Sequence, residues 1–328
     1  MLLINAKEVR ELLPMKKAIE ADKKAFLMHS MGQTEVPVRT HFDVEGRGSV
    51  LVMPAYVKGD VGRVGVKLVS VFPDNSKRGL TSVPAQVLIF DPETGFVQAM
   101  MSGTEVTKIR TGAISGAATD ILARRDANVF ALFGTGGQAA SQLEAVLCVR
   151  SIKEVRVFDA VSDKISPFIE ANRTLAEQYG ASLSAANSPA EAIDGADVIT
   201  AITTSSTPVF DGTMVKKGAH VNGVGSFLPA SRELDEHLLN RARVFVDNRE
   251  AVMVEAGDFL IPAANGDYNT DKIVGEIGDV LAGKLTGRCS DGDITVLKTV
   301  GYAVLDVVAA HIIYANAVAR GIGTEVGI

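Results

Sequence analysis

Apolar positions follow two rhythms along the chain, and the change comes near residue 127. Residues 14–31, PMKKAIEADKKAFLMHSM, place apolar side chains at helical spacing behind a proline suited to a first turn. SVLVMPAYV, GRVGVKLVSVFP, TSVPAQVLIFD and GFVQAM follow as short β-branched runs broken by turn signals such as DPETG. They predict a meander of antiparallel strands. A helix is expected from about Glu105 to Arg125. Beyond it, strands at ANVFALF, EVRVFD, ADVITAIT, AHVNGVGS and ARVFVDN alternate with helical stretches such as 162–179 and 233–242. Strand–helix alternation predicts a parallel, doubly wound sheet. The last element, TVGYAVLDVVAAHIIYANAVARGIG, reads as a long amphipathic helix ending at glycine and returning to the first domain. The expected fold class is therefore α/β, with a doubly wound parallel sheet inserted into a split α+β domain. The expected boundaries are 1–118 plus 302–328, and 119–301.

A chain of 328 residues fits about two domains. With 33 basic against 39 acidic residues the charge is mildly negative, which points away from nucleic acid or an anionic membrane as partner. The N-terminal MLLINAKEVRELLP is too charged for a leader, and no uninterrupted run of about 18 apolar residues exists, so no membrane span is expected. Cys148 and Cys289 stand far apart, and the five histidines form no ligand pair. A reducing, cytoplasmic setting and no metal are the expectation.

FALFGTGGQAA changes the picture. A strand runs into Gly134-Thr135-Gly136-Gly137-Gln138-Ala139 and then a helix. Gly134 permits the tight turn, Gly136 lets backbone approach a pyrophosphate, and Ala139 allows close helix–strand packing. Asp159 closes the next strand, where a carboxylate accepts from ribose hydroxyls and repels a 2′-phosphate. The second domain thus reads as Rossmann-type, with NAD(H) favoured and NADP(H) possible. A glycine turn without a cofactor is the blander alternative. Thr203, Thr204 and Ser205 end another strand, and Val224, Gly225 and Ser226 end a third; both tips are candidates to line the cofactor.

In the first domain, Arg39, Lys67 and Arg110 stand among apolar neighbours, Lys67 most clearly in VGVKLVSVF. A charge enters such a context when paired or functional. A substrate bearing a carboxylate is the economical partner for three cations. Taken singly, each reads as readily as a salt-bridged side chain.

Together VPVRTHF, VLVMPAY, GVKLVSVFPDN, LIFDPETG, KIRTGAISGAAT, LFGTGGQA, HVNGVGSFLPASREL and SDGDITVLKTVGYAVLD make the chain resemble the ornithine cyclodeaminase/μ-crystallin family over essentially its whole length. The resemblance implies a substrate and dimerisation domain, a Rossmann domain and a homodimer. It maps substrate-carboxylate contacts onto Arg39, Lys67 and Arg110, with Lys67 and Arg110 as catalytic candidates, and a pocket hydroxyl onto Ser82. It also marks two departures. Where cyclodeaminases carry a glutamate for the substrate ammonium this chain has Leu51, and where amine-processing relatives carry an aspartate it has Phe227. Phe227 is then a substrate-facing aromatic. The implied activity is reduction of a cyclic ketimine carboxylate, Δ1-pyrroline-2-carboxylate or its six-membered homologue. The alternatives are an ornithine cyclodeaminase or amino-acid dehydrogenase with a different acid, Asp306 being one, and a non-catalytic binding protein.

Overall fold

The computed structural model describes residues 1–37 and 39–327. The chain divides into two compact units, residues 1–110 with 302–328, and residues 111–301. The division falls inside one continuous helix, eight residues before the boundary expected at 118/119.

The first unit opens with β1 (Leu2–Ile4), α1 (Ala6–Leu12) and α2 (Met15–Ser30). Asn5 caps α1 in a reciprocal capping box with Glu8, and Pro14 occupies the cap of α2. Then come β2 (Thr34–Glu35), β3 (Thr40–Asp43), β4 (Ser49–Val57), β5 (Arg63–Val71), β6 (Ala85–Phe90), β7 (Val97–Ser102) and α3 (Gly103–Leu122). β4 to β7 form the antiparallel meander that the alternation predicts. β1 joins β7 in parallel, and the C-terminal strand Thr324–Glu325 closes that edge.

The C-terminal helix, Ala303–Arg320, packs on β4, β5, β6 and α2 of the same unit. Its approach is close: a side chain at Gly65 would lie 2.7 Å from Val307. Gly321 terminates it in a left-handed conformation (φ +63°). Counted by uninterrupted apolar runs no span was expected, yet this helix is long and apolar enough to cross a bilayer. More than half of it is buried in the unit, Val304, Leu305, Val307, Val308 and Ile313 among the buried residues, which is the pattern of a core helix.

The second unit holds β8 (Val129–Phe133), α4 (Ala139–Val149), β9 (Glu154–Phe158), α5 (Ile165–Gln178), β10 (Ser182–Ala185), β11 (Val198–Ala201), β12 (His220–Gly223), β13 (Ala242–Val246), β14 (Ile273–Glu276) and β15 (Ile294–Lys298). All are parallel, in the order β10-β9-β8-β11-β12-β15-β13-β14. Strand order reverses between β8 and β11, so the crevice beyond their carboxyl ends is the ligand-binding position of an open α/β sheet. Phe130, Phe133, Val155, Ile199, Val221 and Val296 are buried at 1% exposure or less and form its core.

The helix expected over 233–242 is shorter, Glu236–Arg241. Asp235 caps it by accepting from the Leu238 N–H, while the N–H groups of Glu233 and Leu234 donate to Asp258 instead. Glu233 is thereby left outside the helix with its carboxylate free for another task. The strands β10, β14 and β15 carry too weak an alternation to have been read: SLSA is mostly exposed, and ITVLK is buried on every residue.

Candidate active site

The first unit collects four ionisable groups in its interior. Lys67 lies on β5, opposite Met53 of β4, with Gly65 and Val69 on the same inward face. That face meets the C-terminal helix, and Lys67 Nζ donates to Asp306 Oδ2 at 2.7 Å. Arg110, on α3, donates from Nε to the other oxygen, Oδ1, at 3.1 Å. Asp306 stands in the first turn of its helix, where the macrodipole favours a carboxylate. Lys67, Arg110 and Asp306 are 2%, 6% and 0% exposed. Asp306 is therefore committed to two cations and is no free acid for an amine.

Burial pushes the Lys67 ammonium down to about 8, aided by the Arg110 charge and by Arg39, and opposed by Asp306. Arg39 is half-buried and close enough for its charge to act on Lys67. Asp22, on α2, is a further member that the pattern along the chain does not mark. Both of its oxygens are buried without a hydrogen-bond partner. Burial drives its carboxyl well above the usual range, with Arg110 pulling down and Asp306 pushing up. A carboxyl pushed toward its neutral form adds little negative charge beside Lys67, Arg110 and Arg39, which suits an anion site. Leu51 pairs in register with Val69 and so shares the sheet face of Lys67. The departure from the amine-binding glutamate thus falls beside the cationic cluster itself. Ser82 is half-buried in the loop before β6, and its carbonyl accepts from the Phe72 N–H.

In the second unit the glycine loop follows β8. Gly134 has φ +98°, and a Cβ there would lie 2.4 Å from the Ile202 carbonyl, so only glycine fits without strain. Added Cβ atoms at Gly136 and Gly137 would meet nothing within 4 Å. The following helix, α4, has no side-chain cap, and the buried Gln138 Oε1 has no partner. An open cradle of backbone beside uncapped helix N–H groups fits a dinucleotide pyrophosphate. Asp159 accepts from the Thr135 N–H and hydroxyl at 2.9 and 2.7 Å through Oδ2, and from the Val161 N–H at 2.9 Å through Oδ1. Burial alone would raise its pKa, but these bonds hold it below the ordinary carboxylate value. A carboxylate kept ionised at the end of the second strand suits ribose hydroxyls.

The other two strand tips are organised by a residue missed in the sequence. Glu233 Oε1 accepts from the Thr203 N–H and hydroxyl at 2.5 and 2.8 Å. Its Oε2 accepts from the N–H groups of Gly225 and Ser226 at 2.6 and 3.0 Å. Ser226 Oγ donates to the Ser231 carbonyl, so the hydroxyls of Thr203 and Ser226 both serve the protein's own frame. Ser205 Oγ likewise donates to the Thr207 carbonyl, Thr204 is exposed, and Val224 is buried. Phe227, just past this tip, is exposed at 36%. A surface cavity of about 540 Å³ in the first unit, lined by Leu2, Val97, Tyr314, Val318 and Ile322, belongs to none of these clusters.

The chain matches the ornithine cyclodeaminase/mu-crystallin family over residues 1–321. It is 37% identical to a Delta(1)-pyrroline-2-carboxylate reductase of Bacillus cereus over 328 residues, covering 99% of each chain. Among solved structures it resembles the Thermococcus litoralis Delta(1)-pyrroline-2-carboxylate reductase in complex with NADH and L-proline, with TM-score 0.95, 37% identity and coverage of 99% and 100%. An archaeal alanine dehydrogenase dimer with bound NAD follows at TM-score 0.92 and 33% identity, over 100% and 99% of the two chains. With a match across nearly its full length, the chain belongs to the ornithine cyclodeaminase/mu-crystallin family.

Proposed function

We propose that this protein is an NADH-dependent ketimine reductase that converts Δ1-pyrroline-2-carboxylate to L-proline, with Δ1-piperideine-2-carboxylate as a second substrate yielding L-pipecolate. The observation that carries this reading is the buried Lys67–Asp306–Arg110 constellation with an apolar residue, Leu51, on the same face. It offers positive charge for a carboxylate, while Asp306 is committed to two cations and Leu51 stands where an acid would receive a substrate ammonium. The position of Phe227 in the second unit is equally without an acid. An ammonium brought into such surroundings would remain unpaired, at heavy cost. A cyclic imine already contains its C=N bond and needs neither amine activation nor departure of ammonia.

The residues divide the work. Arg39 and Arg110 receive the carboxylate and fix the ring by oriented ion pairing. Lys67, the one of the three cations able to release a proton near neutral pH, serves the ring nitrogen. Asp306 holds Lys67 and Arg110 in place and keeps Lys67 charged in its dry setting. Ser82 adds a hydroxyl to the pocket beside the three cations. Gly134 to Ala139, Asp159 and the tips at 203–205 and 224–226 hold the dinucleotide, and Asp159 sets the preference for NAD(H) over NADP(H). When bound, the reduced nicotinamide supplies the hydride that the imine carbon takes up.

A homodimer is part of this proposal. The sheet of the first unit has a second face bearing Val64, Val66 and the 41%-exposed Leu68, an apolar surface suited to a second copy. A similar archaeal alanine dehydrogenase is a dimer. Cys148 and Cys289 are thiols outside any disulfide, which fits a reducing cytoplasm. The purified protein, offered NADH with each imine, consumes NADH and yields proline and pipecolate. Ammonia release from ornithine without NADH consumption on either imine sinks the reading.

A further inference from the structure

The second unit contains a buried ionic network that the proposed chemistry does not itself use. Glu233, Asp258 and Lys298 are each 0% exposed. Lys298 Nζ reaches Asp258 Oδ2 at 2.9 Å and the Ser226 carbonyl at 2.6 Å. Asp258 Oδ1 accepts from the N–H groups of Glu233 and Leu234 at 2.7 and 2.8 Å. Glu233 then spans the tip of β11 through Thr203 and the tip of β12 through Gly225 and Ser226. Buried charge of this kind stabilises little by itself, since apolar packing serves as well. Its geometry does something apolar packing cannot: four donors from two separate loops converge on one side chain.

We infer that Glu233 is a positioning residue that locks the two strand-end loops, 203–205 and 224–226, into one rigid platform for the dinucleotide. Only a carboxylate offers acceptor sites to four donors at once. Burial pushes the Glu233 carboxyl up, while Lys298 and the Thr203 donors pull it down. Protonation would set an O–H against an N–H or O–H donor, so the geometry demands the ionised form. Lys298 supplies the compensating charge and also fixes the Ser226 carbonyl, so this tip is held on both its N–H and C=O sides. Space is equally constrained: a Cβ at Gly225 would lie 2.2 Å from the Thr203 carbonyl and 2.6 Å from Glu233 Oε1. A platform ordered before the ligand arrives avoids the ordering cost at binding.

The inference rests on the dinucleotide reading of this unit, and the test separates the two. Glu233→Gln keeps the shape but turns one oxygen into an N–H donor, so one loop loses its acceptor. Amide hydrogen exchange on the protein without cofactor is expected to quicken at least tenfold at Thr203 or at Gly225 and Ser226. The N–H groups of Glu233 and Leu234, held by Asp258, stay protected. NADH, titrated by its fluorescence, is expected to bind at least tenfold more weakly, while the imine KM at saturating NADH changes less than threefold. If Glu233→Gln does not fold, Glu233→Asp retains charge with one methylene less reach, and the same loop-selective exchange is expected. A folded variant with unchanged exchange at these amides, or with wild-type NADH affinity, overturns the inference. Wild-type protein that binds no dinucleotide overturns the reading of the site itself and the inference with it.

Discussion

Asp306→Asn tests the electrostatic logic of the first unit most sharply. The carboxylate touches Lys67 at 2.7 Å and Arg110 at 3.1 Å, all three groups being buried. With charge centres about 3.5 Å apart and an effective dielectric constant of about 20, the Lys67–Asp306 attraction is on the order of 5 kcal/mol. At about 1.4 kcal/mol per pH unit, that supports the Lys67 pKa by up to about three units. An asparagine retains a hydrogen bond but not the charge, so a fall of about one to three units is expected. The ammonium that titrates at about 8 then titrates between about 5 and 7. The assay is kcat/KM for Δ1-pyrroline-2-carboxylate across pH at saturating NADH. It is paired with binding of pyrrole-2-carboxylate, a planar carboxylate with no imine to titrate. Both alkaline limbs should move to lower pH, with a loss of activity at pH 7.5 of about threefold for a fall of one unit and about two hundredfold for a fall of three. Removing one partner of a buried pair costs about 3–5 kcal/mol, so thermal unfolding and NADH binding must first show a folded protein. A folded variant whose alkaline limbs stay at wild-type pH refutes the claim that Asp306 keeps Lys67 charged.

Other consequences follow from single positions. Gly136→Ala meets no neighbour within 4 Å, so apo stability holds while NADH affinity falls roughly tenfold as the added methyl enters the pyrophosphate space; calorimetry and thermal melts separate the two. Gly134→Ala behaves oppositely, losing roughly 1–3 kcal/mol of apo stability at a position with φ +98°. Asp159→Ser removes the acceptor for ribose hydroxyls, so the ratio of NADH to NADPH turnover should fall roughly tenfold or more. Asp22 has a raised folded pKa, so its protonated form favours folding below the unfolded value of 3.8, and that advantage is lost as pH rises toward the folded pKa. Asp22→Asn should therefore stabilise the protein more at pH 8 than at pH 4, read from urea melts at both values.

Local pattern carried much of this structure. The glycine loop is legible because strand, turn and helix are contiguous, and Lys67 stands out because its neighbours on β5 are apolar. The buried acids are illegible for the opposite reason. Asp306 reads as one polar position in an amphipathic helix, and its meaning lies 239 residues away at Lys67. Asp22 sits in a helix whose Lys16, Lys17 and Glu20 face solvent, so nothing in its spacing marks it as buried. Glu233 lies in an acidic stretch that reads as a helix start, and only the capture of its N–H by Asp258 shows otherwise. β15 was unread because it is buried on every residue and shows no alternation. Such positions are set by which strands become neighbours, and that depends on the whole chain.

The central claim concerns where a hydride goes, and one isotopic measurement addresses it. NADH carrying deuterium at C4 is incubated with the protein and Δ1-pyrroline-2-carboxylate, and the product is analysed by NMR and mass spectrometry. The account predicts L-proline with one deuterium on Cα and no ammonia released. Proline without the label, or no proline while pyruvate and ammonium give labelled alanine, would contradict it.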